Sequence, residues 1–195
     1  MDLWEPYYNS TVAHVPEASG KIVHDPYHLG QMLSEAADKV RRAEHRVLMK
    51  TGVDRLAGTK YTWLYGWENL PEGHRDRFND LRGQKFKTSR AWAIKKIFRD
   101  FWANETVEEG KEFFRCWYGW AICSRLERIK RVAKSFKAHL DNILTYFTHR
   151  ITNVALEGLN NRVAGLVKKA FSYRKQERFK TDILFHLGGL DLYPG

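Results

Sequence analysis

Apolar residues recur at spacings of three and four along most of this chain, which is the pattern of amphipathic helices. In the longest such segment, from about Leu29 to Lys50, Leu33 and Val40 belong to an apolar face that lies opposite a charged one. Three further helices are predicted from Ser89 to Ala103, from Thr106 to about Leu126 and from about Glu127 to His149. Two more are predicted to end at about Leu81 and at about His186. Lys21 to His24 is almost the only segment with the pattern of a strand. The pattern therefore predicts a mostly helical protein.

The helix predicted from Thr152 to Ala170 carries one acidic residue, Glu157, on its polar face. Its apolar face is formed by Leu156, Leu159, Val163, Leu166, Val167 and Ala170. Thr152 or Asn153 can cap the helix, which places Glu157 near the positive end of the helix dipole, where an ionised carboxylate is favoured. Two interpretations stay open: an ordinary surface helix whose glutamate faces water, or a helix that presents a functional carboxylate.

The composition is that of a folded protein without a membrane segment. Of 195 residues, 43% are hydrophobic and 14% are aromatic, which is enough for one sizeable core, with or without an inserted lobe. We find no apolar run of about 18 residues and no secretory signal pattern, and therefore expect no membrane span. Cys116 and Cys123 are expected to be reduced core residues on one helical face, which fits a cytoplasmic protein.

The net charge of +10 is concentrated in one part of the chain. Residues 111–180 contain 16 lysines and arginines against 5 acidic residues, whereas the remainder contains 17 against 18. Such a concentration attracts polyanions, DNA and RNA first among them, although a solvated basic face without a partner has the same composition. The candidate DNA contacts are Lys168, Lys169, Arg174 and Lys175, at and beyond the end of the Glu157 helix.

Three acidic residues are candidates for chemistry. Asp2 lies beside the apolar segment at the start of the chain, Asp25 directly follows the predicted strand with His28 three residues later, and Glu157 lies on its helix. Converging carboxylates can hold a pair of Mg²⁺ ions for phosphodiester displacement, because hard cations prefer oxygen ligands. An aspartate after a strand is also a common turn former, so spacing alone leaves both roles open. Glycine-rich phosphate loops, G-x-S-x-G elbows and H-E-x-x-H motifs are absent.

Several motifs in a fixed order carry a family resemblance that spans essentially the whole chain. They are Met1-Asp2-Leu3-Trp4-x-Pro6-Tyr7, Lys21-Ile22-Val23-His24-Asp25-x-Tyr27-His28, Thr152-Asn153-x-x-x-Glu157-Gly158-Leu159-Asn160 and Gly188-Gly189-Leu190-Asp191-Leu192-Tyr193-Pro194. In this order they resemble the DDE transposases of bacterial insertion sequences, most closely the ISL-three group. The ordered set is far more specific than any one motif.

The resemblance implies a mostly α fold, in which a truncated ribonuclease-H-like α/β core with one or two short strands carries a large helical insertion. The implied domains are residues 1–30 (core remnant), 31–150 (helical insertion) and 151–195 (catalytic-glutamate helix and carboxy-terminal tail). Asp2 matches the second catalytic aspartate and Glu157 the catalytic glutamate, and both are implied ligands of Mg²⁺. Asp25 and His28 match the D-x-x-H signature, for which we expect a supporting, site-organising role.

One departure from the family pattern decides what we expect of the chain alone. The first catalytic aspartate and the first four core strands of the family precede the Met1-Asp2 pair and are not among these residues. The same holds for the amino-terminal DNA-binding portion. We therefore expect a carboxy-terminal part of a transposase that binds Mg²⁺ weakly and neither cleaves nor joins DNA by itself. The expected partners are DNA at transposon ends and the missing amino-terminal half or a full-length transposase.

An alternative function fits the basic stretch equally well. In this hypothesis the chain is a helical protein that binds DNA or pairs with a transposase without any chemistry of its own. A third hypothesis is a helical protein with no role in nucleic-acid binding. Affinity for DNA that falls steeply with salt would separate the first two hypotheses from the third.

Overall fold

The computed structural model describes residues 3, 5–65, 70–151 and 154–188, with the side chains of residues 7, 19 and 154–157 left outside that description. The chain divides into two compact units, Met1–Ile151 and Thr152–Gly195. The helices of the first unit are α1 (Glu5–His14), α2 (Ala18–Lys21), α3 (Pro26–Lys50), α4 (Lys60–Leu64), α5 (Glu72–Gly83), α6 (Lys87–Phe98), α7 (Val107–Cys123), α8 (Glu127–Ala138) and α9 (Leu140–His149), with a 3₁₀ turn at Arg99–Ala103. The helices of the second unit are α10 (Val154–Lys169) and α11 (Gln176–Leu187).

The mostly helical class is confirmed, and the described residues contain no strand. The ribonuclease-H-like core that the resemblance implies therefore has no support from this part of the chain. The predicted domain boundaries stay a prediction.

Helix α3 is the central element of the first unit and packs against α6 and α8. It begins sharply because Asp25 caps it, with its carboxylate accepting a hydrogen bond from the Tyr27 amide at 3.0 Å. Pro26 follows at the first helical position, where the missing N–H costs nothing because that group has no partner in a helix. Leu29 and Leu33 are fully buried, which confirms the apolar face predicted for this helix.

Most of the main core is built around aromatic residues from the middle of the chain. Phe98 is the hub of this cluster: its ring centroid lies 4.5 Å from that of Trp117 and 5.1 Å from that of Phe136. A second, smaller core joins α4, α5 and α6, where Phe78 packs edge-on against Trp63 and Trp92 at 5.2 and 5.0 Å. Helix α6 contributes buried residues to both cores and packs against α3.

The strand predicted at Lys21 to His24 is wrong. Lys21 ends α2, and the residues after it are extended but pair with a helix instead of a strand. The Thr145 hydroxyl of α9 donates to the Ile22 carbonyl at 2.6 Å, and the His24 amide donates to the Asn142 carbonyl at 3.4 Å. Buried Ile22 and His24 alternate with the partly buried Val23, which is the spacing that predicted a strand.

Two predictions within the helical middle also need correction. The single helix expected from about Glu127 to His149 is interrupted at His139, whose backbone (φ −112°, ψ 20°) leaves the helical region and separates α8 from α9. Cys116 and Cys123 are free thiols, but they are exposed on α7 and do not belong to the core. Their seven-residue spacing does place them on one face of the helix, and that face points to solvent.

The second unit consists of α10 and α11, which contact each other. Helix α10 confirms the helix predicted around Glu157, although the proposed cap residues Thr152 and Asn153 lie outside the described residues. Of its predicted apolar face, Val163, Leu166 and Val167 are partly buried, whereas Leu159 is 42% exposed. None of the described helices in either unit has the length and apolar character needed to cross a membrane.

Candidate nucleic-acid interface

The D-x-x-H signature forms the entrance to α3. Asp25 is only 4% exposed, and the hydrogen bond from the Tyr27 amide uses one of its carboxylate oxygens. His28 lies in the first turn, partly buried, with its ring edge-on to that of Tyr27 at 5.6 Å. This geometry shows that Asp25 organises the local backbone. The supporting role in a catalytic site stays a prediction.

The side chains of the two predicted metal ligands, Asp2 and Glu157, lie outside the described residues. Asp2 lies outside the described residues, and Glu157 has its backbone in the first part of α10 while its side chain lies outside the description. Among the residues that the structure does describe, no three histidine, cysteine, aspartate or glutamate side chains come together as a metal site. The described part of the chain therefore contains no ready-made magnesium site.

The predicted DNA contacts of the second unit are all exposed. Lys168 and Lys169 occupy the last turn of α10, where their charges are favourable next to the negative end of the helix dipole. Arg174 and Lys175 belong to the turn that leads into α11. The nearby Asp182 is engaged by the Tyr173 hydroxyl, which donates to it at 2.7 Å, and this hydrogen bond raises the pKa of Tyr173.

A larger basic surface lies in the first unit, where α3 packs against α8. Two adjoining clefts of about 250 and 640 Å³ share Lys39 and Arg128 in their walls. We call this surface the basic groove and define it by its cationic residues, which are Lys39, Arg42, Arg46, Lys87, Arg125, Arg128 and Arg131. Cations held along a groove at this density are suited to contact successive phosphates of a nucleic-acid backbone.

The carboxylates in the walls of the basic groove are largely engaged by other groups. Glu44 accepts hydrogen bonds from the Lys87 and Thr88 amides at 2.8 and 2.7 Å, and so binds the amino-terminal end of α6. Glu127 pairs with Lys130 at 2.8 Å, and this bond holds the pKa of the Glu127 carboxyl below its usual value. Glu35 lies 3.9 Å from Lys39, and Asp38 pairs with Arg42 at 3.0 Å, so two of the groove cations have acidic partners. The walls still hold seven cations against three carboxylates, which gives the groove an excess of positive charge.

The basic stretch predicted from the sequence contains three of the seven cations of the basic groove. Arg125, Arg128 and Arg131 belong to the basic stretch at residues 111–180. Lys39, Arg42 and Arg46 belong to the charged face of α3, for which no role was predicted from the sequence. The charged face of α3, which is visible in the sequence, is the feature that could have indicated these three cations. Its pairing with α8 is a tertiary contact that local periodicity does not reveal.

Comparison with known proteins adds a family to this geometry. Residues 1–183 match the family model of the ISL-three transposases, described as "Transposase". The transposase for insertion sequence element IS1001 of Bordetella parapertussis is 23% identical over 182 residues, covering 92% of this chain and 44% of that protein. The transposase for insertion sequence element IS1557 of Mycobacterium tuberculosis is 22% identical over 188 residues, covering 85% of this chain and 42% of that protein. The chain thus spans less than half the length of these relatives, and no solved structure matches it significantly.

Proposed function

The chain belongs to the ISL-three family of DDE transposases, and we propose that its residues supply the catalytic glutamate and a DNA-binding surface for the cleavage and transfer of transposon DNA. The family match over residues 1–183 carries this proposal. The basic groove supplies the physical means of holding DNA, because its cations lie along one continuous surface between α3 and α8. DNA at transposon ends is the partner that the proposal implies, and the cytoplasmic setting stays a prediction.

In the proposed site, Glu157 and Asp2 are the residues of this chain that hold Mg²⁺. When bound, the metal would activate the attacking water or 3′-hydroxyl and stabilise the leaving oxygen of the phosphodiester. Glu157 belongs to the first turn of α10, and a carboxylate at the positive end of a helix dipole is favoured in its ionised form. Asp25 contributes indirectly, by fixing the backbone at the start of α3.

We further propose that these 195 residues alone do not cleave or join DNA. The family's first catalytic aspartate has no match among them, and two carboxylates do not fix a divalent cation as closely as phosphoryl transfer requires. A polypeptide that joins these residues to a segment with the first aspartate is expected to be active. The basic groove would serve the same binding role in both cases.

The test is a strand-transfer assay with labelled duplex DNA and Mg²⁺. The 195-residue chain is expected to yield no product. The joined polypeptide is expected to be active, to lose that activity with Glu157→Gln, and to keep it with Glu108→Gln, a change of an exposed glutamate on α7. Unchanged strand transfer by the Glu157→Gln variant would contradict the assigned glutamate. It would favour the alternative in which this chain binds DNA without chemistry, provided that charge reversal in the basic groove still abolished binding.

A further inference from the structure

A second cleft in the first unit differs in chemistry from the basic groove. It has a volume of about 620 Å³ and lies between the first turns of α3, the end of α4, and α6 with its following 3₁₀ turn. We call it the aromatic cleft and define it by the residues that carry the argument, which are Tyr27, Gly30, Tyr65, Lys96, Arg99 and Trp102. It begins directly beside Asp25, because Pro26 and Tyr27 form part of its wall.

Packing and hydrogen bonds fix two parts of the wall of the aromatic cleft. Lys95 is buried, and its ammonium donates to the carbonyls of Trp63 and Leu64 at 3.0 Å each, which fixes the end of α4 against α6. The Trp102 ring packs edge-on against Tyr146 at 4.9 Å and Phe101 at 4.8 Å. These contacts fix the part of the wall formed by α4, α6 and Trp102, so that part need not become ordered when a ligand binds.

The surface of the aromatic cleft combines aromatic rings with positive charge. Tyr27 is 68% exposed and Tyr65 is 45% exposed, so their side chains are accessible from solvent. Lys96 holds its ammonium 5.4 Å from the Trp92 ring centroid, and Arg99 is exposed one turn of chain later. The described residues of the wall include no aspartate or glutamate. This combination suits a ligand that has both a flat ring and a negative charge.

From this geometry we propose that the aromatic cleft binds an unpaired nucleotide of a DNA strand, with the base against the aromatic side chains and the phosphate beside Lys96 and Arg99. Stacking on aromatic side chains together with backbone contacts to cations is the general chemistry of single-strand binding. The proposal rests on the proposed function, because DNA handling is what brings an unpaired strand to this surface. It gives the first unit two DNA contacts: the basic groove for the duplex backbone and the aromatic cleft for a nucleotide outside the duplex.

Gly30 allows the cleft to be blocked without a change of charge. A Cβ added at Gly30 would meet no atom within 4 Å, so a larger side chain can start there without a backbone clash, and Gly30→Leu should occupy part of the cleft. Gly119 on α7 is the matched control, since a Cβ there also meets nothing within 4 Å and the residue does not line the cleft. Both changes replace a glycine inside a helix and should favour the helical conformation, so loss of folding does not confuse the result.

The probe is a short single-stranded oligothymidylate containing one 2-aminopurine, whose fluorescence reports stacking, measured with the 195-residue chain. We expect the affinity to fall about tenfold with Gly30→Leu, as befits the loss of a stacked base, and to be unchanged with Gly119→Leu. Arg99→Glu should weaken binding more than Lys111→Glu, which makes the same change of charge on α7. Equal affinities of wild type and Gly30→Leu, or no binding of the single strand by wild type, would overturn the proposal.

Two further measurements distinguish a failure of the proposed function from a failure of the aromatic-cleft proposal. A duplex of the same length tests the proposed function: if it binds in a salt-dependent manner while Gly30→Leu leaves single-strand affinity unchanged, only the aromatic cleft is wrong. If neither DNA binds, the proposed function fails together with this inference. A free deoxynucleotide monophosphate that binds as tightly as the strand would also overturn the assignment, because the cleft would then serve a small molecule and not DNA.

Discussion

Lys95 offers a test of the packing that forms the aromatic cleft. The residue is 8% exposed, and its ammonium satisfies two carbonyls at the end of α4. Burial, followed by repulsion from the nearby Arg99 guanidinium, lowers the pKa of Lys95 from its ordinary value of 10.5 to about 8. Lys95→Met removes this titration while keeping a side chain of similar length, so the difference between the two proteins isolates the contribution of the lysine.

The sign and size of the effect follow from proton linkage. Between pH 8 and 10.5 the unfolded chain keeps the Lys95 proton while the folded protein has released it, so the free energy of unfolding rises with pH. Each pKa unit corresponds to about 1.4 kcal/mol, so the free energy of unfolding should rise by about 3 kcal/mol over the full pH interval. Below pH 8 both states bind the proton and the difference becomes constant.

The assay is urea denaturation of wild type and Lys95→Met at a series of pH values from neutral to about 10. Other lysines and tyrosines titrate in both proteins and cancel in the difference. Wild type should gain stability relative to the variant above about pH 8, by roughly 2–3 kcal/mol at the upper end. A difference that stays flat with pH, or that falls as the pH rises, would refute the reasoning.

Three further substitutions test local features of the first unit. Glu44→Ala should lower the free energy of unfolding, measured by urea denaturation, by about 2 kcal/mol. The reason is that the Glu44 carboxylate accepts hydrogen bonds from both the amide and the hydroxyl of Thr88 at 2.7 Å. A decrease below about 0.5 kcal/mol would contradict this. Gly110→Ala should lower the unfolding free energy by about 1–3 kcal/mol, because its Cβ would lie 2.5 Å from the Phe147 ring, and stabilisation of the helix instead would show that the ring can move. Asp25→Ala should lower the free energy of unfolding by about 1 kcal/mol, whereas Asp25→Asn should retain most of it, because aspartate and asparagine side chains can both cap α3. Equal decreases for the two variants would argue against the cap.

Periodicity predicted the helical elements well because their apolar faces are packed against one another. The apolar face of α3, with Leu33 and Val40, could be predicted from spacing alone, and both residues are buried in the main core. The break at His139 was missed because the apolar pattern runs on through it, whereas the backbone turns there and the His139 ring contacts those of Tyr8 and His24. A tertiary contact of this kind leaves no local signal.

The candidate sites also differ in whether their residues are neighbours in the chain or come from distant segments. The D-x-x-H signature could be found in the sequence because its residues are neighbours in the chain, and the structure explains Asp25 as the cap of α3. The basic groove and the aromatic cleft each combine residues from distant segments, as with Arg42 and Arg128 in the first and Tyr27 and Arg99 in the second. Only the packing of α3 against α6 and α8 brings those side chains together.

The most direct measurement is the salt dependence of duplex DNA binding by the 195-residue chain and by a variant with Arg42→Glu and Arg128→Glu. The wild-type affinity should fall linearly on a log–log scale, by about 0.9 for each phosphate contacted, and the variant should show a slope smaller by about two. A control with Lys60→Glu and Lys111→Glu makes the same charge change outside the groove and should keep the wild-type slope. Binding that does not depend on salt, or identical slopes for the groove variant and wild type, would contradict the account.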